Sequence, residues 1–271
     1  MALITDIVNL IEKLKPSVTK ENKDKSYSLS ERPMKLTVIC VKWGNKFSAD
    51  YVNRLYNMVS RNLTIPHRFV CLTDNPEGLA AGVETKKLQL DFEYCWTKLE
   101  LFKDGNFAEE ELCLYLDLDI VITGNIDDLV TFKPDEKFIG LYDWYSTRNP
   151  FFNSSVMRFY GNSATKIINA LIKKLEDGQV RWDREYDKYL GSVDKVVLWE
   201  GNTRYGSDQE WISRLVYPKK ELKKHSFPDR WILSYKKHGR ERLPRGCKIM
   251  VFHGFPKPHE TDNDYVKEHW R

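Results

Sequence analysis

The feature that most constrains the fold is an alternation of apolar strands and amphipathic helices that begins at residue 35. Residues 35–41 form an apolar run rich in β-branched side chains, which is typical of a strand buried on both faces of a sheet. Ser48 is placed to cap the helix that follows. Five side chains at helical spacing form the apolar stripe of that helix: Tyr51, Val52, Leu55, Met58 and Val59. Further strands are predicted at 67–75 and 111–122, so the order of elements predicts an α/β fold with a single Rossmann-like, mostly parallel sheet flanked by helices.

The second half of the chain is less regular, but it carries its own elements. The pattern predicts a short helix at 95–102, a strand at 151–159, an amphipathic helix at 163–178, a helix at 206–216 and a strand at 248–254. Gly178 is expected to end the first of the two longer helices, since glycine is common just beyond a helix C-terminus. Ser207 and Glu210 have the spacing of a capping box at the start of the second.

The first 33 residues differ in character from the rest. Residues 3–14 place apolar side chains on one face of a helix, and a polar, lysine-rich segment follows. We therefore predict an N-terminal amphipathic helix and linker at 1–33, and one domain at 34–271. A helix of this kind is similar to those that lie at a membrane surface, so peripheral contact with the inner face of a membrane is one expectation.

Charge and cysteine content exclude several classes of protein. The 271 residues hold 43 Lys and Arg against 39 Asp and Glu, a net charge of +4 that permits anionic partners and demands none. The five cysteines are scattered, and no C-x-x-C pair occurs, which argues against a disulfide framework, a zinc ribbon or a thioredoxin motif. No apolar run reaches the ~20 residues of a membrane span, and the N-terminus does not resemble a signal peptide. We expect a cytoplasmic protein.

Two acids, Asp117 and Asp119, stand at the end of an otherwise apolar strand. Ligands of parallel sheets bind outside the carboxyl ends of the strands, so the loops at 42–47, 73–75 and 117–125 are expected to share one crevice. Three interpretations of the pair are open. The acids bind a hard divalent metal, they form ion pairs or cap a turn, or the segment DLDIV belongs to a haloacid dehalogenase-type phosphatase with an aspartate nucleophile.

The rest of the chain favours the metal. Six segments follow one another in a fixed order: VICVKWGNKF from residue 38, WTKLELF from 96, YLDLDIVITGNIDDL from 115, FFNSSVMRF from 151, SDQEWIS from 207 and VFHGFPKPHE from 251. This series, spanning about residues 35–260, resembles the GT-A-fold glycosyltransferases. The closest resemblance is to family 8 and its relatives, such as the glycogenins and bacterial lipopolysaccharide galactosyltransferases.

The resemblance implies a metal-dependent transfer of sugar from a nucleotide-diphosphate donor, with UDP-sugar the expected donor. Asp117, Asp119 and His253 would be ligands of Mn²⁺ or Mg²⁺, and the imidazole favours manganese. Lys98 and Lys257 would be cations for the diphosphate or donor sugar. Transfer would retain the anomeric configuration.

The resemblance and the expected crevice also imply the rest of the donor site. The residues expected at the nucleoside and metal side are Val41, Trp43, Asp74 and Leu118. The residues expected at the donor sugar are Asn153, Asp208 and Gln209, of which Asp208 and Gln209, with Lys98, are the candidate catalytic residues. The two acids of this set also have structural interpretations, since Asp74 can cap the turn before Pro76 and Asp208 lies in a first helical turn.

The acceptor is less defined. Residues 217–248 are densely basic with interleaved Trp231 and Tyr235, which suits a saccharide, a lipid-linked glycan or a modified DNA base as well as a solvated surface. A phage-type enzyme that glycosylates a hydroxylated DNA base is therefore an alternative. A non-catalytic nucleotide-sugar binder would need a broken metal triad. A sugar nucleotidyltransferase would need a G-x-G-x-R loop, which residues 42–47 do not provide.

Overall fold

A computed structural model describes residues 35–145, 150–187 and 192–271. The predicted N-terminal helix and linker at 1–33 lie outside these residues, so that expectation stays a prediction. No helix within the described ranges combines the length and apolar character needed to cross a bilayer. The five cysteines are unpaired, and four of them are buried.

A central six-stranded sheet confirms the predicted α/β class. Its strands, in spatial order, are β3 (Glu84–Lys87), β2 (His67–Thr73), β1 (Leu36–Lys42), β4 (Leu112–Leu116), β7 (Phe152–Tyr160) and β6 (Phe138–Tyr142). Only β7 runs antiparallel to its neighbours in this sheet. The chain crosses from β1 to β2 on one side and returns to β4 on the other, which places a topological switch point between β1 and β4.

Both faces of the central sheet are buried, which explains the unbroken apolar runs of its strands. Successive residues of β1 alternate between the two cores: Val38 and Cys40 belong to one, and Ile39 to the other. The first core is covered by helix α1 (Ala49–Asn62), whose five buried apolar side chains are the predicted ones. The second core, on the opposite face of the sheet, is covered by a 3-10 helix (Tyr94–Phe102) and by two α-helices, α3 (Lys166–Glu176) and α4 (Asp208–Val216).

Shorter elements complete the chain. Two further α-helices are α2 (Asp127–Thr131) and α5 (Asp264–His269). A π-helical turn spans Tyr235–Gly239, and short 3-10 turns span Gly161–Ala164, Lys219–Glu221 and Pro258–Glu260. A small antiparallel sheet of β8 (Val180–Asp187), β9 (Ser192–Glu200) and β10 (Thr203–Tyr205) was not predicted.

The single strand predicted at 111–122 is wrong. The chain leaves the central sheet after β4 and enters a separate three-stranded sheet as β5 (Ile120–Ile122), beside β12 (Ile249–Val251) and β11 (Ile232–Ser234). The amide of Asp117 donates to the carbonyl of Ser155, and the Asp119 carbonyl accepts from the Phe252 amide. Apolar content alone could not show this break, because both strands are buried.

Local capping also differs from the prediction. Ser48 and Ser207 are the N-cap residues of α1 and α4, but neither side chain makes a capping hydrogen bond. The carboxylate of Glu210 accepts from the Gly206 amide at 2.6 Å instead, one residue earlier than a capping box requires. Gly178 does follow α3, with φ +65° in the left-handed region that glycine tolerates.

Candidate active site

A cavity of about 510 Å³ opens at the carboxyl ends of β1 and β4, on the switch point. Its wall includes six of the residues that the sequence predicted: Val41, Trp43, Lys98, Asp117, Leu118 and Asp119. The loop after β1 and the segment after β4 therefore share one crevice, as expected. The loop after β2 does not line the cavity but supports the loop after β1. The Asp74 carboxylate accepts a 2.9 Å hydrogen bond from the Gly44 amide.

Lys98 links three segments of the site. Its ammonium lies 2.9 Å from Asp117 Oδ1 and 3.4 Å from Asp208 Oδ2, and it donates to Ser154 Oγ at 2.9 Å. Burial alone would lower the pKa of Lys98, but the two carboxylates outweigh it and raise the pKa above its usual value. The lysine is therefore charged, and it ties the strand end, the 3-10 helix and α4 together.

Asp117 is held as a carboxylate by its neighbours. Tyr115, two residues earlier and on the same side of the strand, donates its hydroxyl to Asp117 Oδ1 at 2.5 Å. Burial would raise the pKa of Asp117, but Lys98 and the tyrosine hydroxyl outweigh burial and lower it. Burial and the nearby acid raise the pKa of Tyr115 well above its usual range, so this hydroxyl keeps its proton and remains a donor.

Asp119 has a different balance of charge. The Lys257 ammonium donates to Asp119 Oδ2, and the same ammonium lies 5.4 Å from the centre of the Phe47 ring. Burial raises the pKa of Asp119, Lys257 opposes the rise, and the carboxylate of Asp117 adds to it, so the net shift is upward. Burial is the largest cause of this upward shift, and Lys257 only partly opposes it.

Asp208 carries an incompletely satisfied oxygen. The residue is 3% exposed, and its Oδ2 accepts no hydrogen bond within the described part of the chain, although Lys98 lies within ion-pair distance. Burial raises the pKa of the Cys95 thiol to about 12, and the Asp208 carboxylate beside it adds to the rise. A buried carboxylate oxygen of this kind is stabilised by an additional hydroxyl donor.

His253 does not meet the two acids. Its Nε2 is hydrogen bonded to Ser234 Oγ at 2.7 Å, and its ring stacks on Trp144 with centroids 5.9 Å apart. Among the residues described, no group of three His, Cys, Asp or Glu side chains is arranged to hold a metal ion. The expected triad is therefore not assembled here, and His253 as a metal ligand stays a hypothesis.

The acidic pair itself suits a divalent cation. Two carboxylates on one cavity wall provide the oxygen ligands that hard metals prefer, and the two acids lie close enough to act on each other electrostatically. The imidazole, as placed, does not complete the set. The residues present thus fit a metal held by Asp117 and Asp119, with its remaining ligands supplied from outside the protein.

The other predicted donor residues lie behind the cavity wall. Asn153, 7% exposed, accepts the Ser155 amide through its Oδ1 at 3.0 Å. The Gln209 carbonyl accepts the Ser213 hydroxyl, and its half-buried side chain makes no contact that fixes it among the described residues. Asn153 therefore helps to fix the first residues of β7, where Ser154 meets Lys98, and Gln209 is not among the residues that line the cavity.

Several residues of the site were not predicted from the sequence. Lys46 and Phe47 belong to the loop that was expected at the crevice, whereas the unpredicted residues are Tyr94, Cys95, Thr97 and Tyr115 in the wall, and Ser154 behind it. Tyr94, which has a positive φ of 54°, packs against Trp43 with ring centroids 5.2 Å apart. Tyr115 could have been found from the strand period, because it precedes Asp117 by two residues. Tyr94 could not, since no spacing connects it to the first loop.

No protein-family model and no curated protein matches the sequence. Solved structures do match the fold. The galactosyltransferase LgtC, solved with donor and acceptor sugar analogues, is 12% identical with a TM-score of 0.54, and the match covers 87% of this chain and 96% of that one. The glycosyltransferase GlyE of Streptococcus pneumoniae is 16% identical with a TM-score of 0.54, over 88% and 62% of the two chains. The bifunctional glycosyltransferase WbbM is 9% identical with a TM-score of 0.52, over 88% and 50%. The chain therefore has the fold of these glycosyltransferases, which confirms the predicted fold class.

Proposed function

We propose that this protein is a glycosyltransferase that moves a sugar from a nucleotide-diphosphate donor to an acceptor hydroxyl. The observation that carries the proposal is an acidic pair in the wall of one cavity, each acid paired with a lysine, at the switch point of a glycosyltransferase-like fold. A phosphatase that uses Asp117 as its nucleophile is less consistent with these data, because Asp117 is already engaged by Lys98 and Tyr115.

Breaking the sugar–diphosphate bond leaves negative charge on the departing diphosphate, so the site must supply positive charge at that point. Lys257, only 8% exposed at the cavity edge, is positioned to shift from Asp119 towards a phosphate oxygen. A divalent ion held by Asp117 and Asp119 would add Lewis-acid charge there, and manganese is the favoured metal. Lys98 lowers the pKa of Asp117 and forms ion pairs with both Asp117 and Asp208, so its proposed role is to position them.

Different parts of the site suit the two ends of the donor. Trp43 and Tyr94 place two mutually tilted aromatic rings in one wall of the cavity, and the face of either ring suits a nucleobase such as uracil. Asp208 has the oxygen that lacks a hydrogen-bond donor, and a sugar hydroxyl would satisfy it. Gln209 and Asn153 complete the proposed sugar end. Retention of configuration is part of the proposal, with the leaving phosphate taking the acceptor proton.

A saccharide is the acceptor that we propose. The region near His253 exposes Tyr145 and Phe255, which are 55% and 51% exposed and can stack on sugar rings. A lipid-linked glycan would present the same kind of saccharide to this surface. Neither a membrane contact nor a DNA acceptor gains support from the geometry.

The test is a donor screen. Purified protein is incubated with individual nucleotide-sugars and Mn²⁺, and the release of free nucleoside diphosphate is measured without an acceptor. We expect slow hydrolysis of one UDP-sugar, lost on chelation of the metal and in Asp119→Ala.

Asp128→Ala is the matched control, because it removes another acid that is ion-paired to a lysine, Lys248, but is 56% exposed and does not line the cavity. Hydrolysis that persists in Asp119→Ala at the wild-type rate would contradict the proposed site. Loss of hydrolysis in both variants would point to a general effect of removing an acid.

A further inference from the structure

A second cavity, of about 370 Å³, lies between the β8–β9 hairpin and the segment that precedes the 3-10 helix, and we call it the hairpin cavity. Its wall includes Asp91, Phe92, Glu93, Trp182, Asp183 and Arg184. The volume falls in the range of about 300–1,000 Å³ that is usual for small-ligand sites. Among the described residues, it shares no lining residue with the donor cavity, which holds Asp117 and Asp119.

The aromatic part of the wall is held in a fixed orientation. The half-buried ring of Trp182 packs edge-on against Phe92 and Trp96, with ring centroids 5.7 and 5.0 Å apart. Trp96 is fixed in turn, because its indole N–H donates to the Val196 carbonyl at 3.0 Å. The indole N–H of Trp182 makes no hydrogen bond with any described residue. A fixed, partly exposed indole of this kind suits stacking on a sugar ring.

The polar part of the wall is acidic. Arg184 donates to both carboxylate oxygens of Glu93, at 2.6 and 2.7 Å, so these two charges are paired. Asp91 is exposed and makes neither an ion pair nor a hydrogen bond with any described residue, and Asp183 Oδ1 accepts only the amide of Arg184, at 2.9 Å. The cavity is therefore negative in a chain whose net charge is +4. Carboxylates accept hydrogen bonds from hydroxyl or ammonium groups, and they repel an anionic ligand.

The two cavities meet along the chain. Glu93 lines the hairpin cavity, and the next two residues, Tyr94 and Cys95, line the donor cavity. Consecutive Cα atoms are only about 3.8 Å apart, so the cavities share this wall. Cys95 lies beside the Asp208 carboxylate, at the proposed sugar end of the donor. A ligand in the hairpin cavity is therefore next to the place proposed for the transferred sugar.

We propose that the hairpin cavity binds a saccharide that carries no anionic group. Trp182 stacks on a sugar ring, while Asp91 and Asp183 accept hydrogen bonds from its hydroxyl or amino groups. The ligand is assigned to the acceptor, as a sugar unit other than the one whose hydroxyl reacts. Only this assignment rests on the proposed function, because the binding itself follows from the cavity.

The test is calorimetric binding of three probes of equal length: the trimers of N-acetylglucosamine, glucosamine and galacturonic acid, which are neutral, cationic and anionic. We expect the wild type to bind the neutral and cationic trimers, and to bind the anionic trimer at least roughly tenfold more weakly, because like charges would face each other.

Trp182→Leu tests the stacking. We expect it to weaken binding of the neutral and cationic trimers roughly tenfold, because the sugar loses its aromatic partner while the side chain stays apolar. Trp199→Leu is the matched control, since Trp199 is half-buried on the same hairpin and is not part of the cavity wall. Thermal melting of both variants checks that the fold is intact.

The double variant Asp91→Asn/Asp183→Asn tests the acids and changes no buried side chain, so it remains informative if Trp182→Leu does not fold. We expect it to weaken binding of the glucosamine trimer roughly tenfold or more, because two charge-assisted acceptors are lost. Glu109→Gln/Glu110→Gln is its control, which removes two exposed acids that line neither cavity.

Three results would each overturn the inference. The wild type binds no trimer, the galacturonic acid trimer binds as tightly as the other two, or the folded cavity variants bind the trimers no more weakly than their controls.

Saccharide binding and donor hydrolysis are separate measurements. Trimer binding that is lost in the cavity variants of a protein that hydrolyses no nucleotide-sugar would leave this site standing without the proposed function. Nucleotide-sugar hydrolysis by a protein that binds no trimer would leave the proposed function standing without this site.

Discussion

Glu111 immediately precedes strand β4 and Asp117 immediately follows it, so one strand is flanked by a buried acid at its amino end and a half-buried acid at its carboxyl end. At the amino end, Glu111 Oε1 accepts from Arg68 at 2.7 Å and also from Thr37, and Oε2 accepts from the Ala108 amide at 3.1 Å. Burial raises the pKa of Glu111, but these partners outweigh burial and lower it. The side chain is 2% exposed, and both of its oxygens are satisfied.

At the carboxyl end, the acids are left incomplete. Asp117 is 21% exposed on the side chain and lines the cavity, and it shares Lys98 with Asp208, one of whose oxygens accepts no hydrogen bond in the described structure. The neighbouring Asp119 has a raised pKa. A closed network holds strands together, whereas an open one retains capacity for a ligand. From the difference between the two ends we propose that the acids at the carboxyl end are the functional ones.

The largest expected effect on activity comes from replacing Asp117, at the carboxyl end of β4, by its amide. We expect Asp117→Asn to reduce nucleotide release by roughly 100-fold or more, because it removes charge that positions Lys98 and would bind a metal. Steady-state kinetics with the donor identified in the screen measures this loss.

Glu111→Gln is the control at the other end of the strand. We expect it to lower the free energy of unfolding by about 2 kcal/mol, since a buried charged hydrogen bond is lost, with turnover per folded molecule unchanged. Urea titration measures the first quantity. Similar losses of turnover in both variants would remove the distinction between the two ends.

A third buried acid, Glu100, shows what happens when no cation is in contact. It is 1% exposed, its carboxylate accepts from the amides of Gln89 and Leu90 at 2.6 and 3.0 Å, and burial raises its pKa to about 7. The folded protein thus keeps this proton up to about pH 7, while the unfolded chain releases it near the ordinary glutamate pKa of 4.5. Because the folded state binds more protons in this window, its stability falls as pH rises.

We expect the free energy of unfolding to fall by about 3 kcal/mol from this group between roughly pH 5 and pH 8. Glu100→Gln, which cannot ionise, is expected to flatten that part of the profile. Denaturant titrations at several pH values measure both proteins. Parallel profiles for the two would show that Glu100 is not the source.

The smallest expected effect concerns the affinity of Asp119, near the carboxyl end of β4, for a divalent ion. The Lys257 ammonium and a divalent ion compete for Asp119, so Lys257→Met is expected to raise the affinity for Mn²⁺ without nucleotide by roughly tenfold. Titration of free Mn²⁺ by electron paramagnetic resonance measures it. Lys46→Met is the control, because Lys46 also acts electrostatically on Asp119 but makes no ion pair with it among the described residues. Equal affinities in the wild type and Lys257→Met would show that the ammonium does not compete.

Much of the architecture could be predicted from local pattern. The buried side chains of α1 are the five that were predicted, and β1 and β2 fall on the predicted strand segments. A helix or strand that buries a face must carry apolar residues at the spacing of that element, so the sequence shows it. The break between β4 and β5 could not be predicted, since a residue buried in either sheet looks equally apolar. Six of the candidate site residues line the cavity: Val41, Trp43, Lys98, Asp117, Leu118 and Asp119. The His253 imidazole is hydrogen bonded to Ser234 instead.

The sequence by itself determined a parallel α/β sheet and the end of that sheet at which polar residues gather, because strand and helix periodicities depend only on which side chains avoid water. The pairing of charges was decided by the tertiary structure alone. Lys98 reaches both Asp117 and Asp208, and Lys257 reaches Asp119, across separations of 19 to 138 residues. Such pairings depend on how the elements pack, so no local sequence pattern predicts them.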